Sequence, residues 1–146
     1  MNAYIDTSAL AKCYVREARS FDVLARAEAA APVAISGQTL VELRCLMARR
    51  RRAGQIDRST ERRALAEFEL DLASRNWVLY PDWPGLYEAA RQLIDLVPEV
   101  ALGTLDALHL ACARHYGCQL FATAVRTQSE AARALGIPVL TFHTTA

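Results

Sequence analysis

Apolar residues in this chain gather in short unbroken runs, separated by longer stretches in which they recur every three or four positions. The runs cover residues 3–6, 33–36, 77–80, 119–123 and 139–142. Most show no polar alternation, so they predict parallel strands buried on both faces; a strand with one wet face would alternate. Helical periodicity fills the intervals, often twice per interval, over residues 8–15, 21–30, 38–53, 58–73, 85–97, 105–116 and 129–135. Strand and helix therefore alternate from end to end, which predicts an α/β class fold: one α/β/α sandwich around a central parallel sheet of about five strands. Turn chemistry agrees with these limits. Ser36 and Thr104 stand where helix N-caps belong, Gly117 and Gly136 where a helix ends in a left-handed residue, and Gly54 divides two helices.

Acidic residues fall at three of the predicted boundaries. Asp6 stands where the run Ala3-Tyr4-Ile5 stops and a helical pattern begins. That is the carboxyl end of a first strand, the edge of an open α/β sheet where ligands bind. Glu42 follows the second strand by about one helical turn, and Asp106 lies near the start of the helix Leu105-Asp106-Ala107-Leu108-His109-Leu110-Ala111. Taken singly, each acid can be a helix cap, a dipole partner or, for Glu42, the partner of Arg44 or Arg49. Gathered in one cleft they would repel one another unless a cation neutralised them. Oxygen donors without companion His or Cys ligands favour Mg²⁺ or Mn²⁺ over zinc, and such ions activate water for phosphodiester hydrolysis.

Length and composition narrow the picture. The 146 residues fit one domain, 1–146, and the formal net charge is only +1. That balance hides a local excess: between Glu42 and Arg63 eight arginines face three acids, a local charge of +5. The segment suits phosphate or an acidic partner, or else forms a solvated helix face. Cys13, Cys45, Cys112 and Cys118 form no C-x-x-C pair and no finger spacing, as expected of buried free thiols in a reducing, cytoplasmic setting. A core strand begins within a few residues of Met1, leaving no room for a signal peptide, and no uncharged run approaches the roughly 18 residues of a membrane span. His109, one turn after Asp106, can touch the site or pack in the core; Trp77, Tyr80, Trp83 and Tyr87 suit core or dimer packing better than base stacking. A nucleotide-binding module is disfavoured, because the first strand-to-helix turn, Asp6-Thr7-Ser8-Ala9, has no glycine to admit a phosphate.

Several segments together resemble the PIN-domain family, and within it the VapC-type toxins of prokaryotic toxin–antitoxin pairs. They are Tyr4-Ile5-Asp6-Thr7-Ser8-Ala9-Leu10-Ala11-Lys12, the stretch from Ser36 to Glu42, Leu105-Asp106-Ala107-Leu108-His109-Leu110-Ala111, and Leu120-Phe121-Ala122-Thr123-Ala124 with the helix after it. The resemblance implies a Mg²⁺-dependent endoribonuclease that cuts RNA, is restrained by a small cognate antitoxin and commonly forms a homodimer. By position it implies Asp6 and Asp106 as metal ligands, Glu42 as a metal-binding or water-positioning catalytic residue, and Ser8 and Thr123 as supporting hydroxyls. One position departs from the pattern. The family's T-x-D after the fourth strand is here Thr123-Ala124-Val125, so a fourth carboxylate is replaced by a side chain that cannot bind metal. The alternative expectation is therefore a PIN-like binding protein whose nuclease activity is lost or impaired through Val125.

Overall fold

The structure, a computed structural model, describes residues 2–144. In chain order the elements are β1 (Ala3–Ile5), α1 (Thr7–Leu10) running into a 3₁₀ turn at Ala11–Cys13, α2 (Ser20–Ala30), β2 (Val33–Ser36), α3 (Gly37–Arg52), α4 (Arg58–Ala73), β3 (Trp77–Tyr80), α5 (Leu86–Leu96), α6 (Thr104–His115), β4 (Leu120–Thr123), α7 (Arg126–Ala134) and β5 (Val139–Thr141). The five strands form one all-parallel sheet in the order β3-β2-β1-β4-β5. β1 is central, with Tyr4 beside Ala34 on one flank and Phe121 on the other.

The side-chain period of two in a strand divides the core into two halves. Ala3 and Ile5 of β1 pack on one face with Leu10, Tyr14, Leu43 and Phe68, while Tyr4 packs on the other with Leu93, Leu110, Phe121 and Ala131. β1 and β2 are buried at every position, which is why their sequences show no alternation. β3 differs: as an edge strand it leaves Val78 and Leu79 exposed.

Two boundaries depart from the sequence expectation. Thr104 is the first residue of α6 rather than its cap; Gly103 takes the N-cap position and makes no side-chain bond. α7 begins at Arg126, three residues before the expected 129, because Gln128 and Ser129 are polar yet wholly buried and so carry no apolar signal. The expected stops hold. Gly54, Gly117 and Gly136 follow their helices with φ of 74°, 69° and 73°, the left-handed region that glycine enters without a Cβ clash.

The sheet order reverses between β1 and β4: β2 and β3 lie to one side, β4 and β5 to the other. At such a switch point the two connections leave in opposite directions and open a crevice at the carboxyl ends of the strands. Asp6 follows β1 and Thr123 closes β4, so both stand at that crevice.

Candidate active site

Asp6 serves first as a structural cap. Its extended backbone ends β1, and Oδ1 accepts from the Ala9 N–H at 3.0 Å, closing the first turn of α1. Ser8 Oγ lies 2.8 Å from both carboxylate oxygens, and Thr123 Oγ1 donates to Oδ2 at 2.9 Å. The residue is only 2% exposed, and burial pushes its pKa up despite the opposing His109 charge and these hydrogen bonds. Thr123 Oγ1 also lies 2.7 Å from Gln128 Oε1, so its single proton serves one of two acceptors at a time. Gln128 Nε2 donates to the Asp106 carbonyl at 3.2 Å, which links the Asp6 cluster to the first turn of α6.

Glu42 points from the second turn of α3 into a group of donors. Ser36 holds the N-cap of that helix, its N–H donating to Thr39 Oγ1 at 3.4 Å. Gln38 Nε2 at 2.9 Å, Thr7 Oγ1 at 3.1 Å and His109 Nε2 at 2.7 Å all meet Glu42 Oε1. Burial alone would raise this acid, but the His109 hydrogen bond and charge, with Gln38 and Thr7, outweigh it and hold Glu42 below the usual carboxylate range. The neighbouring arginines are not its partners.

Asp106 is the contrasting case. It is half-buried, and no hydrogen bond reaches its carboxylate among the described residues. Burial and the charges of Asp6 and Glu42 raise it, against a smaller pull from His109. All three acids line one cleft of about 540 Å³, together with Arg49, Tyr87 and Val125. A hollow of about 590 Å³ lies at the opposite edge, where β2 and β3 begin; three of its polar side chains are bonded to one another, Trp77 Nε1 donating to Tyr14 at 2.6 Å and Tyr14 to Asp71 at 2.5 Å.

Sequence reasoning therefore finds the acids and misses much of what holds them. His109 is 1% exposed and bonds directly to Glu42, so it belongs to the site as well as to the core. Thr7, Gln38 and Gln128 carried no signal, since polar residues in helical segments read as surface. One expectation is overturned: Cys45, expected as a buried thiol, is exposed on the cleft. Of the core or dimer packing expected for Tyr87, its 72% exposure at the cleft excludes the core. Cys112 is buried as expected, whereas Cys13 and Cys118 are half-buried; burial pushes the Cys13 and Cys112 thiols up to about 12.

The donor set bears on a divalent ion. Among the described residues no three His, Cys, Asp or Glu side chains close on a single point as a finished cage. Magnesium does not require one: it keeps several waters and takes one or two carboxylates. Among the described residues Asp106 has no donor, and it is repelled by Asp6 and Glu42, so a cation beside Asp6 and Asp106 would relieve that repulsion. The residues present fit such an ion.

A family model of the PIN domain matches residues 3–134. The chain belongs to the PIN-domain family. Solved structures share the fold of this PIN domain. VapC20 of Mycobacterium tuberculosis, described as a Sarcin-Ricin loop cleaving toxin, is 24% identical with a TM-score of 0.64, over 82% of this chain and 87% of that one. VapBC2 from Rickettsia felis, bound to a DNA fragment from its promoter, is 13% identical with a TM-score of 0.67, over 97% and 99% of the two chains. FitAB bound to the IR36 DNA fragment is 16% identical with a TM-score of 0.68, over 99% and 98%. No curated protein matches the chain at the level of sequence. Among the described residues, no helix of this PIN domain is long and apolar enough to cross a membrane.

Proposed function

We propose that this PIN domain is a Mg²⁺-dependent endoribonuclease, the toxin of a VapBC-type pair. The observation that carries the reading is the cleft at the switch point, which Asp6, Glu42 and Asp106 all line and in which Asp106 has no hydrogen-bond partner among the described residues. Asp6 and Asp106 would hold the ion, which when bound supplies charge neutralisation and an activated water for phosphodiester hydrolysis. Ser8 and Thr123 keep the Asp6 carboxylate in one orientation through their hydroxyls. Glu42, ionised and anchored, is suited to orient the attacking water by accepting its hydrogen bond. Arg49, exposed on the cleft and without an ion-pair partner among the described residues, suits an RNA phosphate.

A small cognate antitoxin belongs to the same reading, supported by the VapBC2 and FitAB names of structures with this fold; homodimeric assembly, as the family resemblance implies, and a cytoplasmic setting complete it. The exposed side chains of Val41, Tyr87 and Leu105 along the cleft give such a protein partner an apolar border to cover. A second reading rests on Val125. It lines the cleft beside Asp6 and Asp106, where the family pattern has an acid, and favours a binding protein with impaired cleavage.

Cleavage of RNA in Mg²⁺ or Mn²⁺, stopped by EDTA and restored by added metal, is the expected outcome. Undiminished cleavage in EDTA contradicts the metal-dependent reading; an inert protein that still binds RNA and antitoxin favours the second.

A further inference from the structure

The Glu42 carboxylate is anchored on one side only. Every hydrogen bond made to it among the described residues ends on Oε1, which leaves Oε2 without a protein donor in an acid that lines the cleft. The shortest of these bonds comes from His109, and His109 is itself fixed from behind. Its Nδ1 lies 2.6 Å from the Tyr4 hydroxyl, which lies 2.8 Å from Ser36 Oγ. Tyr4 cannot swing away, because its ring stacks on Phe121 at 5.6 Å between centroids with planes 5° apart. All three groups behind Glu42 are buried.

An imidazole suits this place because its two nitrogens point in fixed, divergent directions. Glu42 is ionised and can only accept, so Nε2 carries a proton; Nδ1 then exchanges a hydrogen bond with Tyr4, whose hydroxyl both donates and accepts. The chain Ser36–Tyr4–His109–Glu42 joins β2, β1, α6 and α3. His109 lies one helical turn from Asp106 on α6, and Tyr4 lies two residues from Asp6 on β1. The same rigid path therefore relates all three acid-bearing elements.

We propose that His109, braced by Tyr4 and Ser36, is a positioning residue that sets the Glu42 carboxylate with Oε2 presented to the cleft. Its catalytic consequence rests on the ribonuclease reading, but the link between the two side chains does not.

Two variants separate the ends of the imidazole. In His109→Gln the side-chain amide replaces Nε2 and still donates to Glu42; in His109→Asn the shorter amide replaces Nδ1 and loses Glu42. Urea unfolding of each variant, with and without Glu42→Gln, tests the link independently of activity. Glu42→Gln should shift the midpoint alike in the wild type and in the His109→Gln background, and distinctly less in the His109→Asn background. Equal shifts in all three overturn the proposal. In RNA cleavage, His109→Asn should lose on the order of 10²-fold in kcat with KM nearly unchanged, and His109→Gln should restore most of it. Equal losses in both variants, or a loss confined to KM, overturn the positioning role. If wild-type protein cleaves no RNA, the ribonuclease reading fails, while unequal urea shifts still uphold the link and equal ones still refute it.

Discussion

Asp106 and Glu42 share a cleft but respond to it in opposite ways, and the difference is measurable. Burial and two neighbouring carboxylates raise Asp106 above its value in the unfolded chain. The metal-free fold therefore binds that proton longer than the unfolded chain does, so stability from Asp106 is present in acid and is lost as pH rises through the raised value. Glu42 is held low by His109, so its contribution is present above the ordinary carboxylate range and is lost as pH falls through the lowered folded value. At neutral pH without metal, Asp106→Asn should relieve repulsion and stabilise the protein by about 0.5–1 kcal/mol, a rise of roughly 2–4 °C in Tm. Millimolar Mg²⁺ should raise the Tm of the wild type and not of this variant. A Tm lowered by Asp106→Asn in EDTA contradicts the account. Val125 permits a second test at this scale. As N-cap of α7 it is a poor residue, and it lines the cleft. Val125→Asp should raise Tm in saturating Mg²⁺, where the cap is gained and the added charge is neutralised, and should also tighten divalent-ion binding and increase cleavage. Metal titration and cleavage both unchanged would place position 125 outside the chemistry. Asp6 and Asp106 are legible in the sequence because each stands at or beside an element boundary, and Glu42 because it follows apolar Leu40 and Val41 about one turn into its helix. His109 and Gln128 are not, because a buried polar side chain looks like a surface residue until its partners, 67 positions away at Glu42 and 22 at Asp106, are brought to it.

Among the elements, α3 shows how a charge run divides once it is folded. The arginines from 49 to 52 read as one patch, but a helix turns successive residues to different sides. Arg50 pairs with Glu17 at 2.7 Å, and Arg51 with the buried Glu61 at 2.8 Å, which Arg44 also reaches at 3.3 Å. Arg49 alone of the four lines the acidic cleft. Arg49→Gln should weaken RNA binding and reduce the slope of log affinity against log salt by about 0.7, the value for one phosphate contact on a single strand. Arg50→Gln should leave that slope unchanged and cost about 0.5–1 kcal/mol of stability through its partly buried pair. The opposite assignment would show that the cleft arginine is only a solvated side chain. The helix and strand intervals were legible because both sheet faces are covered, which leaves the strands uniformly apolar. The early start of α7 was not, since its inward face is built from Gln128, Ser129 and alanines.

At the scale of the whole molecule, the parallel sheet matters to function through its order. Placing β1 in the centre with its connections leaving in opposite directions opens one crevice, and chain segments 100 residues apart in sequence deliver Asp6 and Asp106 to it. The class of fold follows from the alternation of elements, but the strand order does not, because apolar runs of similar length carry no record of their neighbours. The central claim is that this crevice hydrolyses RNA with a divalent ion held by Asp6 and Asp106. The most direct measurement compares RNA cleavage by the wild type, Asp6→Asn and Asp106→Asn in Mg²⁺ and in EDTA, with folding of each variant checked by circular dichroism. The account predicts cleavage by the wild type in Mg²⁺ alone and a loss of about 10²-fold or more in both folded variants. Full activity in either variant, or wild-type activity that persists in EDTA, would contradict it.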